Sequence, residues 1–159
     1  MTKALWIAAA LFLAGAPALA EQSAEPAAEA APAEQQCTTR QVADGFIPLF
    51  YEQGKVREAY ETWVAPDYIQ HNPHAENGRE AAIAFLEAIF QQNPAHKMTV
   101  HRVLVDGDLF AVHLHGQSGP DDLGAAAVDI LRVEGCRIVE HWDVTQKVPE
   151  TSPNGNGMF

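Results

Sequence analysis

An α+β fold is what this sequence predicts, with helices first and a meander of strands after them. Three observations carry the prediction. Apolar residues recur at helical spacing as far as Pro94. Beyond Pro94 the chain turns to short β-rich runs. Those runs are punctuated by Asp106-Gly107 and Glu134-Gly135, which are turn signals. Helices that precede a run of strands pack on one face of the sheet.

The elements follow in order. Thr38 or Thr39 caps a helix running to about residue 53, with Val42, Phe46, Leu49 and Phe50 on its apolar side, and Gly54 breaks it. Residues 55–64 form a second short helix bearing Val56, Ala59, Tyr60 and Trp63, which Pro66 ends. Residues 67–76 show no period. Asn77 and Glu80 have the spacing of a capping box. They open a helix with Ala82, Ile83, Leu86, Ile89 and Phe90, stopped by Asn93-Pro94. Strands are predicted at 98–105, 109–116, 125–133 and 137–146, forming an antiparallel sheet.

Lys3, an apolar run over residues 4–16, Pro17 and the small-x-small step Ala18-Leu19-Ala20 predict a cleaved signal peptide, 1–20. The run is short for a membrane span. Residues 21–36, built of Ala, Glu, Pro, Gln and Ser, read as a disordered linker that cannot offset the entropy of ordering. The domain is then 37–150, followed by a flexible tail, 151–159. The leader implies a periplasmic or secreted protein. The 159-residue chain carries 10 Lys plus Arg against 21 Asp plus Glu, a net charge of −11. That balance argues against a nucleic-acid partner and against an anionic membrane surface. The two cysteines, Cys37 and Cys136, are expected to pair in an oxidising compartment.

Alternate residues of a strand share a face. His113 and His115 therefore lie together, with Ala111. In the third strand Ala127, Asp129, Leu131 and Val133 oppose Val128, Ile130 and Arg132. In the fourth, Val139, His141, Asp143 and Thr145 oppose Glu140, Trp142 and Val144. Histidines and acids on three neighbouring strands suggest a polar site. Asp143 in a pocket suits proton transfer. His113, His115 and Asp129 are candidate ligand contacts. A metal site of His113, His115, His141 and Asp143 is the alternative; a binder without turnover is another. His74 and His96 read as solvated loop residues, and His101 is given no role.

The segment Tyr68-Ile69-Gln70-His71-Asn72-Pro73, then Gly78 and a helix, resembles SnoaL-like proteins of the nuclear transport factor 2-like superfamily. So does the run from Val128 to Asp143, with its Gly135-Cys136-Arg137-Ile138-Val139-Glu140-His141-Trp142-Asp143 core. The resemblance implies a cone of curved sheet wrapped over helices, with an internal pocket. It also implies cofactor-free aldol-type cyclisation, with Asp143 as acid/base, His141 or His71 steadying the enolate oxygen, and Asn72 and Tyr68 as ligand contacts in the pocket. The family has a histidine where Asp129 stands and a glutamine where Ala127 stands, and those departures remove two polar contacts to the cyclase substrate. The expected partner is a small apolar or carbonyl-containing molecule. A homodimer is expected on the outer sheet face, where Val128, Ile130, Trp142 and Val144 would otherwise lie in water, and the resemblance implies dimers too.

Overall fold

The computed structural model describes residues 37–159, so the predicted leader and linker lie outside the described residues. Helix α1 spans Thr39–Ile47 and runs into a π-helical turn, Pro48–Glu52. Helix α2 is Val56–Trp63, strand β1 Val64–Gln70, and helix α3 Arg79–Gln92. Strands β2 (Lys97–Asp106), β3 (Leu109–Gln117), β4 (Ala125–Glu134) and β5 (Arg137–Lys147) follow. No helix among them is long and apolar enough to cross a membrane.

Thr38 is the N-cap of α1. Its Oγ1 accepts the Gln41 N–H at 3.2 Å, and the Gln41 Oε1 accepts the Thr38 N–H at 2.8 Å, closing a capping box. Pro48 lacks the N–H that would continue the α ladder. The chain widens instead, and Gln53 N–H reaches back to the Pro48 carbonyl at 3.1 Å. Across this wide turn the neighbours Phe50 and Tyr51 are both buried.

The structure departs from the sequence expectation at β1 and α3. Residues 64–70, expected to be a helix end and an aperiodic stretch, form a strand that joins the sheet parallel to β5. The sheet is thus mixed, five-stranded and curved, in the order β1-β5-β4-β3-β2. Pro66 is tolerated because β1 is an edge strand whose pairing is interrupted between Val64 and Ile69. The α3 capping box does not form. Gly78, at φ 96°, is the N-cap, while the Asn77 Oδ1 accepts the backbone N–H of Gln70 at 2.8 Å. Asn77 serves the end of β1 rather than the start of α3.

The core lies between the helices and one sheet face, where Val42, Phe46, Val112, Ile83 and Ile138 are at most 1% exposed. Gly45 of α1 sits under Trp63 of α2, and a Cβ there would fall inside the indole ring. Gly45→Ala is therefore expected to destabilise the domain by about 1–3 kcal/mol through overpacking. Trp63→Leu in the same chain should recover part of the loss, read as the midpoint of thermal unfolding. Among the described residues the Trp63 Nε1 is buried without a hydrogen-bond partner, so removing the indole leaves none of them unpaired.

Glu134 pairs with Arg137 across a two-residue turn in which Gly135 (φ 54°) and Cys136 (φ 66°) are both left-handed. Cys136 is bonded there to Cys37, with Cα atoms 5.0 Å apart. The C-terminal stretch, expected to be flexible, ends in a definite contact. The Phe159 ring stacks on His101 and His115 at 4.6 and 4.4 Å, on the outer sheet face.

Candidate active site

Cross-strand register decides which side chains meet. Val112, Asp129 and Asp143 are paired across β3, β4 and β5, and their row faces the helices. The next row, His113, Val128 and Val144, faces outward. His141 pairs with Leu131, on the inner side. Asp129, His141 and Asp143 therefore line one cavity of about 320 Å3, and Trp142 does not. The rest of that wall is largely apolar. Phe46, Phe50, Tyr51 and Tyr60 come from the N-terminal helical segments, and Phe85, Leu86 and Ile89 come from α3.

Each polar group on this floor is held by a partner. The Tyr51 hydroxyl donates to the Asp129 Oδ2 at 2.6 Å, and the Asn72 Nδ2 donates to the Asp143 Oδ2 at 2.6 Å. The His141 Nδ1 lies 2.9 Å from the Gln70 Oε1, and its Nε2 lies 3.7 Å from the Asp129 Oδ1. Two backbone amides settle the orientation of both side-chain amides. The Asn72 N–H donates to the Gln70 Oε1 at 2.9 Å, so that atom is an oxygen. The His74 N–H donates to the Asn72 Oδ1 at 2.9 Å, which leaves the Asn72 NH2 facing Asp143. Since an amide oxygen only accepts, the His141 Nδ1 carries a proton, and its Nε2 is the atom turned toward Asp129.

Tyr51, Tyr60 and Tyr68 are the only tyrosines of the chain, and all are buried near this floor. Burial raises each phenol above its ordinary value, and the Asp129 charge adds to the effect on all three. A folded-state value above the unfolded value of about 10 means stability is intact below pH ~10 and falls as pH rises beyond it, by up to ~1.4 kcal/mol per pH unit for each tyrosine. Tyrosinate absorbance is thus expected to appear only with loss of the near-UV circular dichroism of the folded chain. A native protein showing tyrosinate near pH 10 would contradict this.

Several predicted site residues lie elsewhere. His71 is on the outer face, stacked on Trp142 at 4.9 Å and 2.8 Å from the Glu140 Oε1. The His71 contact, with Arg132 next, holds the Glu140 carboxyl below its ordinary range. His113 is outside as well, accepting at Nδ1 from the Arg102 guanidinium at 2.8 Å. The His115 Nε2 sits 2.8 Å from the Leu123 carbonyl. A four-residue metal set including His113 and His115 is therefore not assembled. The groups that do converge are Asp129, His141 and Asp143, with ligand atoms within 4.8 Å of one another. Tyr68 lies behind the site, its hydroxyl accepting from the Gln70 Nε2 at 3.1 Å. His74, read as merely solvated, is exposed but lines the cavity. Tyr51 and Gln70 were not singled out by sequence reasoning. The only available signal was their place, one beside Phe50 and the other beside His71.

The SnoaL-like domain family matches residues 46–141. The chain belongs to this family. That span holds Asn72, Asp129 and His141 and stops two residues before Asp143. Solved SnoaL-like structures have the same fold. A candidate SnoaL-like polyketide cyclase from Jannaschia sp. CCS1 is 22% identical, with 74% of this chain and 90% of that one covered at a TM-score of 0.55. A candidate polyketide cyclase from Acidithiobacillus ferrooxidans is 14% identical, with coverages of 70% and 89% and a TM-score of 0.55. A candidate isomerase of the SnoaL-like family from Agrobacterium tumefaciens is 16% identical, with coverages of 68% and 97% and a TM-score of 0.56. Among curated proteins none matches the sequence significantly. SnoaL-like membership makes this chain a small-molecule enzyme or binder.

Proposed function

We propose that this SnoaL-like protein is a cofactor-free acid/base enzyme that moves a proton α to the carbonyl of a small compound, in an aldol, cyclisation or isomerisation reaction. The observation that carries the proposal is the triad Asp129, His141 and Asp143 on the floor of an apolar cavity, each member held by its own partner. Such preorganisation is what general-base catalysis needs. In this reading the Asp143 Oδ1, the oxygen not engaged by Asn72, takes the α proton. His141 meets the enolate oxygen as the imidazolium, whose Nε2–H donates to it while Gln70 holds the ring through Nδ1–H. Solvent deuterium exchange into β-dicarbonyl compounds, followed by NMR, tests it. Exchange well above the buffer rate supports the enzyme. A compound that binds in the cavity and never exchanges makes the protein a binder.

One observation favours a second reading, a divalent cation. Asp129, His141 and Asp143 each offer an atom within 4.8 Å of the others, and Gln70, Tyr51 and Asn72 brace them as outer partners brace metal ligands. Metal analysis of untagged protein separates the two readings.

Two further parts of the proposal concern the whole chain. The mature protein begins at Glu21 outside the cytoplasm, which an intact mass of the exported chain checks. Two copies pair through the outer sheet face, where Leu104 and Val144 are 64% and 67% exposed. Light scattering giving the monomer mass at high concentration would rule out the pair.

A further inference from the structure

The cavity wall carries the Asp129 and Asp143 carboxylates, directly paired across β4 and β5. Among the described residues no lysine or arginine lines it. The nearby arginines are spent elsewhere: Arg57 on Glu61 and Glu87, Arg79 on Glu80, and Arg132 on Glu134 and Glu140. Tyr51 and Asn72 each occupy one oxygen of a carboxylate, and both are neutral donors. The second oxygen of each carboxylate has no hydrogen bond among the described residues; the Asp129 Oδ1 has only the His141 Nε2, at 3.7 Å.

The rest of the wall is aromatic. Phe46, Phe50, Tyr51 and Tyr60 all line the cavity, with Phe50 centred 5.2 Å from Phe46 and 5.5 Å from Tyr60. An anion entering the cavity meets the two carboxylates in a setting too apolar to screen them. A cation is attracted by them, and a ring it carries packs against the aromatic side chains.

We infer that the cavity selects an organic cation: a small ring compound whose protonated amine sits at the Asp129 Oδ1, leaving the Asp143 Oδ1 to the proton, with its ring among the aromatic side chains. Carboxylates, phosphates and phosphate-bearing thioesters are rejected. The volume of about 320 Å3, at the small end for ligand pockets, suits one or two rings. The inference rests on the cavity being the ligand site, as proposed above, and it refines the substrate class. An enolate formed between two carboxylates has no cationic side chain of the wall to stabilise it except a protonated His141. An ammonium on the substrate supplies the missing charge, so the class becomes amino ketones.

Calorimetric titration of the full chain, in EDTA at neutral pH, with phenylpropylamine, hydrocinnamamide and hydrocinnamate tests this. The three share a carbon skeleton and differ in charge. The amine is expected to bind at least tenfold tighter than the amide, and the carboxylate at least tenfold weaker than the amide. In Asp129→Asn/Asp143→Asn the order should collapse; should that chain not fold, Asp129→Asn alone should narrow the gap between amine and amide, and an unchanged gap overturns the inference. A carboxylate that binds as well as the amine overturns the inference, as does an amide that binds tightest. Absence of the order in the unaltered protein, with its deuterium exchange intact, sinks the charge selection alone. The order without exchange supports it and sinks the reaction alone.

Discussion

Reducing the Cys37–Cys136 bond is expected to destabilise the folded chain by as much as about 4.7 kcal/mol, the chain-entropy value for a loop of about 100 residues. The separation is 99 residues, so the bond constrains almost the whole domain in the unfolded state. In the folded state it fastens the start of α1 to the turn between β4 and β5. The Cys37 N–H also points at the Cys136 Sγ, 2.9 Å away. Cys136 is left-handed at φ 66°, a conformation that disfavours any side chain. Cys37→Ser/Cys136→Gly should therefore lose somewhat less than reduction does, since glycine relieves the turn. Denaturant unfolding with and without reductant measures both. An unchanged midpoint on reduction would mean that the unfolded chain already keeps these ends together.

Asp143→Asn is expected to lower proton exchange by about 10²–10⁴-fold, the usual worth of a general base. Asparagine keeps the shape and can still face Asn72, so folding should survive. His141→Gln should cost activity as well, by removing the group that meets the enolate oxygen. Gln70→Leu tests positioning. It removes the acceptor that holds the His141 proton on Nδ1, and the buried Nδ1–H is left without its partner. Its signature is a displaced pH–rate profile with kcat reduced more than KM is raised, which a merely structural role would not produce. Equal loss in Asp143→Asn and in a distant surface variant would remove Asp143 from the chemistry.

The pattern of alternation within strands was enough to separate His141 and Asp143 from Trp142, and Asp129 from Val128. It was not enough to choose a face for His113 and His115. Alternation says which residues of one strand travel together; the face they take depends on the register between strands. The pairing of His113 with Val128 puts them outside, and nothing local to β3 signals it. Strand β1 was unreadable for a different reason. It is short, contains Pro66 and Asp67, and exists only because β5 is there to receive it. Gln70 and Asn72 take their site positions from that pairing and the chain just after it, although the resemblance had already marked Asn72. Tyr51 faces inward beside Phe50 through the π-helical turn at Pro48, which breaks the 3.6-residue spacing used to read the helix. The helices, the hairpin turns and the last four strands needed no such tertiary information.

The parallel pairing of β1 with β5 also makes the site the last thing the chain completes. Gln70 reaches His141, and Asn72 reaches Asp143, each across 71 residues. Tyr51 reaches Asp129 across 78. The β2–β3 and β4–β5 hairpins close locally and early, but these contacts wait for distant segments to meet. A chain emerging from synthesis thus carries Tyr51, Gln70 and Asn72 long before β5 exists. Until β5 docks, the segment that becomes β1 is unpaired and the Gln70 and Asn72 side chains lack their partners, the state most open to wrong pairing. Activity should accordingly recover in refolding with the slowest phase, after most of the sheet signal has returned.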